Sequence, residues 1–381
     1  MYRGTFKSLV ALNASNIPGW RTNRKIVVIE SDDWGSIRMP SRKVFDALLR
    51  AGIPVNTSHY TLYDSLESNA DLEMLMETLT KFKDSTGRHP VITGVNIVAN
   101  PDFEKIAATN FTEYFYEPFI ETCRRYPQHN NVYALWKEGI EKRLMVPVFH
   151  GREHLNVKRW MHALHTGHKS TLRAFEHQIT GIPRNGIDGE RVPDFQAAFD
   201  IDTPNDLPYL KIVLETGSNL FEKIYGYRSR YFVPTNGPFN NSLEKDLHRL
   251  EVDYINTAKM QKEPLGYGKY KSHIRFLGQK NRFGQQYLTR NCFFEPASSG
   301  FEWARSTDWV NNCLREIETA FRWHKPAVIS SHRVNYIGYL HPENRDKSLK
   351  LLSELLTKML KRWPDIEFMT SVKLGDAISK R

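Results

Sequence analysis

Short apolar runs alternate with longer amphipathic stretches along most of the chain. Ser41 as N-cap and Gly52 as terminator predict one helix, and apolar residues spaced three and four apart predict another over 72–82. The other amphipathic stretches predict helices over 114–126, 132–143, 156–177, 207–225, 242–250, 307–323 and 342–363. The apolar runs predict strands over 26–30, 90–99, 146–149, 196–199, 230–233, 253–255, 288–294, 327–331 and 366–370.

Repeated alternation of strand and helix is typical of an α/β protein with a parallel layer or barrel. No internal repeat and no low-complexity linker divides the chain, so one domain over 1–381 is expected. The regions that interrupt the alternation predict insertions near 55–140, 180–208 and 257–286. The last of these is rich in lysine, glycine and tyrosine, which favours an elaborate loop or a hairpin.

Ionisable side chains follow four of the predicted strands. In α/β barrels the loops after the carboxyl ends of the strands carry the chemistry, so these groups are expected at one rim. They are Asp32 and Asp33 after 26–30, His150 and His154 after 146–149, Glu295 after 292–294, and His332 after 328–331.

The histidine pair and the aspartate pair together indicate a metal site. His150 and His154 stand four apart, but Gly151 disfavours a helix, so a turn after a strand is expected. Two imidazoles with a carboxylate and an open water position bind zinc readily. Adjacent strand residues face opposite sides, which suits one aspartate on the metal and the other beside the bound water. An aspartate pair is also common in ordinary turns.

These motifs, with an arginine/proline segment, resemble the metal-dependent polysaccharide deacetylases over residues 26 to about 335. The resemblance implies a fold, which is a distorted (β/α) barrel of about seven strands. It also implies an activity, which is hydrolysis of an N-acetyl or O-acetyl group on a carbohydrate. It implies Asp32 as general base and His332 as general acid. It also implies a divalent metal on Asp33, His150 and His154, with zinc favoured and nickel, cobalt or iron accepted by the same donors.

The arginine/proline segment departs from the family pattern. The family's arginine stands two residues before a proline, a position that is Phe232 here, ahead of Pro234. Arg230 is therefore the candidate to tether the base. The backbone after Pro234 is expected to stabilise an oxyanion, with Thr235 as the chosen donor.

Two further departures concern spacing and the orientation of the acid. Asp32 and His150 lie 118 positions apart, farther than in most family members. Glu295 is the first candidate to orient His332. Asp308 is the second, although an acid in the first turn of a helix is explained by capping.

Three other functions fit parts of the sequence. His150 to His154 matches H-x-x-E-H, an inverted zinc motif of metallopeptidases that requires a helix and Glu153 as base. Asp32 and Glu295 are a possible carboxylate pair of a glycoside hydrolase. A non-catalytic carbohydrate-binding protein is the third alternative. Three further histidines could form a second metal site, but a polar helix face is the favoured explanation for them: His162, His165 and His168.

Composition narrows the partners. The net charge is +10, yet lysine and arginine are dispersed, so nucleic acid is not expected. A positive surface suits an anionic or lipid-linked carbohydrate. Three widely spaced cysteines exclude a disulfide framework. No apolar stretch is long enough to span a membrane, so a soluble cytoplasmic protein is expected, and the sequence gives no oligomeric state.

Overall fold

The computed structural model describes residues 6–304 and 307–380. The predicted domain over 1–381 also includes residues 1–5, 305, 306 and 381, which lie outside the described residues. The strands are β1 (Lys25–Trp34), β2 (Ile92–Asn96), β3 (Ala99–Pro101), β4 (Tyr116–Pro118), β5 (Met145–Phe149), β6 (Tyr231–Phe232), β7 (Tyr254–Asn256), β8 (Met260–Gly266), β9 (Lys269–Ile274), β10 (Gln286–Leu288), β11 (Cys292–Phe293), β12 (Ala327–His332) and β13 (Ile366–Phe368).

Helices follow most of the strands. They are α1 (Phe6–Ala14), α2 (Arg42–Arg50), α3 (His59–Tyr63), α4 (Asn69–Thr80), α5 (Phe103–Ala108), α6 (Phe119–Arg124), α7 (Val132–Glu141), α8 (Val157–His165), α9 (Lys169–Glu176), α10 (Leu207–Tyr225), α11 (Glu244–Arg249), α12 (Trp309–Arg322), α13 (Pro342–Arg362) and α14 (Ser371–Ser379). Within the described ranges, no helix combines the length and apolarity that crossing a membrane requires.

Nine strands form one sheet, which is an open (β/α) barrel. Eight of them run in the order β10, β7, β6, β5, β2, β1, β12, β11, and every neighbouring pair is parallel. The ninth, β13, pairs in parallel with the start of β1, on the same edge as β2. The predicted α/β class and barrel architecture are confirmed.

Side-chain alternation along β1 separates two apolar cores. Val27 and Ile29 belong to the cluster between the sheet and the helices, whereas Ile26 and Val28 belong to the cluster inside the barrel. Successive strand residues face opposite sides, so Glu30 and Asp32 continue the inner face of β1 to the rim. The same rule directs His150 inward after Val148, and His332 after Val328.

Two antiparallel two-stranded sheets stand apart from the barrel sheet. β8 pairs with β9, as expected for a hairpin within 257–286. β3 pairs with β4 and replaces part of the helix predicted over 114–126. That prediction is wrong at its start because the residue before Pro118 is restricted to extended backbone, and α6 begins only after the proline.

Three other element predictions are wrong. Residues 196–199 form a turn rather than a strand, with the Asp200 amide donating to the Ala197 carbonyl. The helix predicted over 156–177 is two helices, because Gly167 has a left-handed φ of 78°. The strand predicted over 288–294 is split: β10 pairs with β7 and β11 with β12, at opposite ends of the barrel sheet.

Candidate metal centre and catalytic cleft

The carboxyl ends of the barrel strands open into a cleft of about 730 Å³. The parallel register of β1 and β12 sets Asp32 directly beside His332. The predicted residues that line the cleft are Asp32, Asp33, His150, His154 and His332.

Asp33 reaches this cleft because β1 is irregular at its end. The register with β2 shifts between Ser31 and Trp34, and Asp33 has a φ of 78° in the left-handed region. The irregularity breaks the alternation of side chains. The expectation that the two aspartates face opposite sides is therefore wrong, since both line one cleft.

Asp33, His150 and His154 form a compact donor set. Asp33 Oδ1 lies 3.1 Å from His154 Nε2 and 3.6 Å from His150 Nε2. All three side chains are buried. Gly151 makes the tight turn between the histidines, because its φ is 113° and an added Cβ would lie 3.0 Å from the Phe199 ring. In the part of the chain that the structure describes, this is the one such group able to hold a metal.

The donor set fits a divalent metal ion. Adjacent ligands of a tetrahedral zinc ion, at 2.0–2.2 Å from the metal, lie about 3.4 Å apart, close to the two distances found. His150 Nδ1 lies 2.7 Å from the Val233 carbonyl and donates to it, which leaves Nε2 unprotonated. That Nε2 is buried without a hydrogen-bond partner among the described residues. Burial lowers the pKa of His154 to about 4, so at neutral pH its imidazole is uncharged, which is the form that can bind a metal.

Arg38 holds the other oxygen of the metal-site carboxylate. Its Nη2 lies 3.1 Å from Asp33 Oδ2, and the guanidinium also contacts Asp64 and Gln196. Burial alone would raise the pKa of Asp33, but His154 and Arg38 hold it well below its ordinary value. Asp33 is thus ionised, with one oxygen turned toward the histidines.

Arg290 clamps Asp32 from the other side. Two guanidinium nitrogens donate to the two Asp32 oxygens at 2.6 Å each, and Nε donates to Glu30 at 2.5 Å. Glu30 also accepts from the hydroxyls of Tyr231 and Ser371, at 2.7 and 2.6 Å. Burial opposes ionisation of Asp32, yet Arg290 lowers its pKa. Asp32 is therefore a fixed carboxylate at neutral pH.

His332 lies between two carboxylates. Its Nδ1 is 2.9 Å from Glu295 Oε2, and its Nε2 is 3.9 Å from Asp32 Oδ2. Burial would lower the pKa of His332, but Glu295 and then Asp32 raise it to about 9. In return His332 lowers the pKa of the buried Glu295 to about 2. Asp308, the second candidate partner, instead caps α12 by accepting from the Asn311 amide.

Two predicted residues lie elsewhere. Arg230 pairs with Asp253 at 2.6 Å and Asp376 at 2.9 Å and is partly exposed, so it does not tether Asp32. Arg290 does so, and sequence reasoning missed it. The Thr235 hydroxyl accepts from the Ala198 amide and is fully buried. The side chain of Thr235 thus supports the wall of the cleft, while its backbone role remains a prediction.

The geometry disfavours two of the alternative functions. The segment from His150 to His154 is not helical, and Glu153 pairs with Arg152 and Tyr114. The sequence H-x-x-E-H is present, but the helix that this metallopeptidase motif requires is not formed by residues 150–154. A glycoside hydrolase needs one protonated carboxylic acid, but the pKa values of Asp32 and Glu295 are both lowered. His162, His165 and His168, for which a polar helix face was the favoured explanation, form no such donor set among the described residues, and His168 caps α9 by accepting from the Thr171 amide.

No family model matches the chain, and a search of curated proteins finds no similar sequence. Solved structures are similar in fold. A putative polysaccharide deacetylase from Mycobacterium smegmatis has 10% identity and a TM-score of 0.42, over 95% of this chain and 92% of that one. A probable polysaccharide deacetylase from Pseudomonas aeruginosa PAO1 has 6% identity and a TM-score of 0.47, over 93% and 91%.

A third similar structure is much longer than this chain. It is a 4-alpha-glucanotransferase from Thermococcus litoralis, with 9% identity, a TM-score of 0.44 and coverage of 91% of this chain. This chain spans 39% of its length. At such identities the similarity extends to the fold alone, so the function has to be inferred from the residues of the cleft.

Proposed function

We propose that the protein is a metal-dependent deacetylase that hydrolyses an N-acetyl group on a carbohydrate. One observation carries the proposal. A buried donor set of one carboxylate and two imidazoles lies beside a separate, clamped carboxylate, Asp32, and an imidazolium, His332, stands next to that carboxylate. Such a cleft provides a metal site, a base and an acid for cleaving a bond to a poor leaving group.

Asp33, His150 and His154 would hold the metal, most simply zinc, although nickel, cobalt or iron suit the same donors. When bound, the ion supplies Lewis acidity and lowers the pKa of water. The residues around it keep the donors in place. Arg38 holds one oxygen of Asp33, and the Val233 carbonyl fixes the tautomer of His150.

Asp32 acts as the general base. Arg290 fixes both of its oxygens and keeps it ionised, so it accepts a proton from the water that attacks the acetyl carbonyl. Because the lone pairs of Asp32 are held in one orientation, the water is oriented as well. The main-chain amide of Thr235, after Pro234 at the edge of the cleft, is the proposed donor to the oxyanion.

His332 acts as the general acid. It is protonated at neutral pH, and its Nε2 gives a proton to the nitrogen as the carbon–nitrogen bond breaks. Glu295 orients the ring through Nδ1 and stabilises its charge. Water thus adds its oxygen to the acetyl carbon, Asp32 takes one proton, His332 gives one, and the products are acetate and an amine.

The lining of the cleft supports a carbohydrate substrate. Amide and hydroxyl side chains suited to sugar hydroxyls line the side near Arg290, and Phe293 at the rim is 53% exposed. An exposed aromatic ring offers a flat apolar face for a sugar ring. The polar lining residues on this side are Asn256, Thr257, Asn291 and Ser330.

Acetate release from N-acetylated chitooligosaccharides by the full-length protein, loaded in turn with zinc, nickel, cobalt or iron, tests the proposal. Asp32→Asn should keep the metal and lose turnover by ~10²–10⁴. Asp308→Asn is the matched control, because asparagine also caps helices and Asp308 lies outside the cleft. If the wild-type protein binds none of these metals and releases no acetate, the deacetylase proposal is wrong and the alternative of a non-catalytic carbohydrate-binding protein is favoured.

A further inference from the structure

A second cavity of about 270 Å³ adjoins the catalytic cleft. Its wall is formed by the segment after α1 and by the hairpin β8–β9. Three residues line both cavities and form their boundary: Ser15, Lys259 and Asn291. Six of the other ten lining residues are apolar: Ala14, Pro18, Met260, Ile274, Phe276 and Leu277. The polar ones are Asn16, Thr289, Arg275 and Lys325, and the ammonium group of the buried Lys325 donates to the Gly19 and Trp20 carbonyls.

The mouth of this second cavity exposes large apolar side chains. Met260 and Ile274 pair directly across the hairpin, and they are 59% and 64% exposed. Directly paired residues of an antiparallel hairpin lie on one face, so the two form a continuous apolar edge. Contiguous exposed apolar surface beside a cavity is a feature of ligand-binding grooves.

Lys259 stands at the boundary between the polar cleft and the apolar cavity. Its Nζ donates to the Ser15 hydroxyl at 3.0 Å. Within 6–304 and 307–380 it has no carboxylate partner within 4.0 Å, whereas Arg38 and Arg290 in the same cleft each pair with carboxylates. The side chain is half-buried. Lys259 thus contacts a hydroxyl and no carboxylate of the described residues, although burial lowers the pKa of its ammonium group and the more distant Glu316 partly offsets that effect.

We propose that the substrate is a carbohydrate phosphodiester, in which the N-acetyl sugar lies at the metal centre, the phosphate binds Lys259, and an alkyl chain enters the second cavity. This inference rests on the proposed deacetylase function and names its substrate class. The order of the three regions carries it: a polar cleft, a lysine without a carboxylate partner among the described residues, and a cavity whose wall is mostly apolar. A phosphodiester is the anionic group that joins a sugar to an alkyl chain in the same order.

Four probes separate the contribution of the phosphate charge from that of the alkyl chain. They are methyl N-acetylglucosaminide, octyl N-acetylglucosaminide, N-acetylglucosamine 1-phosphate and its octyl phosphodiester. Their Kd values are measured by calorimetry with the zinc-loaded, full-length Asp32→Asn protein, in which turnover does not deplete the ligand. The octyl phosphodiester should bind most tightly, and each methylene buried by the octyl chain should contribute about a fourfold gain in affinity.

Two substitutions with matched controls test the two contacts. Lys259→Met should raise the Kd of both phosphate probes on the order of 10- to 100-fold, with a much smaller effect on the uncharged probes, and Lys259→Arg should retain the preference. Ile274→Ser should raise the Kd of the octyl probes alone. Lys262→Met and Leu265→Ser are the matched controls, since they change a lysine and an aliphatic residue of the same hairpin outside both cavities. They should leave all four Kd values unchanged.

Three results would overturn the inference. If the octyl phosphodiester bound no more tightly than N-acetylglucosamine 1-phosphate, the second cavity would not bind an alkyl chain. If Lys259→Met raised the Kd of all four probes equally, Lys259 would only shape the cleft and would not bind a phosphate. An octyl preference that depends on Leu265 instead of Ile274 would place the chain elsewhere. If wild type releases no acetate while the Lys259-dependent preference persists, the deacetylase function fails and the ligand class stands.

Discussion

Glu295→Gln should shift the basic limb of the pH–rate profile to lower pH. The substitution keeps the shape of the side chain and removes the charge that lies 2.9 Å from His332 Nδ1. Burial alone would lower the pKa of His332; Glu295 is the largest of the influences that raise it to about 9. The imidazolium is present below this pKa and is lost as the pH rises through it. Removing the Glu295 charge therefore removes the acid at a lower pH.

The size of the shift follows from the paired groups. The pKa of Glu295 falls to about 2 while that of His332 rises to about 9, and each change corresponds to about 3 kcal/mol. Opposite charges about 4 Å apart attract by about 4 kcal/mol at an effective dielectric constant of 20. Without Glu295, burial still lowers the pKa of His332 and Asp32 still raises it. These two effects oppose each other, so the pKa should return to about 6.5. At pH 8 kcat/KM should fall about 10- to 30-fold, but less than about twofold at pH 6.

The assay is acetate release by zinc-loaded wild type and Glu295→Gln between about pH 5.5 and 10, with zinc content measured at each pH. Nitrogen NMR of the His332 ring gives its pKa directly. Glu343→Gln is the matched control, because Glu343 lies 3.0 Å from His341 in an exposed pair outside the cleft. A basic limb that stays near 9 in Glu295→Gln would refute the assignment of His332 as the acid.

Three further substitutions separate metal binding, base orientation and folding. His154→Ala should abolish tight zinc binding in a chelator competition assay, and unchanged affinity would remove it from the ligands. Arg290→Lys should lower kcat about 100-fold at unchanged zinc affinity, since one ammonium cannot hold both oxygens of the base; an active variant would show that the clamp is dispensable. Gly151→Ala should destabilise the fold by roughly 1–3 kcal/mol in calorimetry, because it combines a left-handed φ with contact to Phe199. Gly226→Ala, at a left-handed position with open space, should cost less.

Local patterns predicted the regular elements well. The helix predicted over 207–225 has these bounds as Leu207–Tyr225, because a long amphipathic repeat ends at Gly226, which takes the left-handed cap. The strand predicted over 327–331 extends by one residue to His332. Because the apolar pattern predicted this strand correctly, it also placed His332, at the end of the strand, correctly at the rim of the cleft.

The parts of the site that depend on long-range pairing could not be predicted. Arg290 and Asp32 are 258 residues apart, and the run from 288 to 294 begins and ends with apolar residues, which made it look like one strand. Only the folded sheet shows that the chain leaves one end of it at Leu288 and joins the other at Cys292. The left-handed backbone at Asp33 was equally hidden, since aspartate enters that region more often than most residues but still does so at only a minority of positions.

The gap between β10 and β11 has a mechanical consequence. These end strands do not pair with each other in the described structure, and the link between them contains Arg290, whose guanidinium reaches Glu30 and Asp32 across the gap. Unpaired strand edges open at lower cost than the interior of a sheet. Opening at this gap would release Asp32 from its clamp while the other strands stay paired. Mild heat or denaturant should then inactivate the protein before its global unfolding becomes visible, because the guanidinium that holds the proposed base lies in the link between the two end strands, which do not pair with each other.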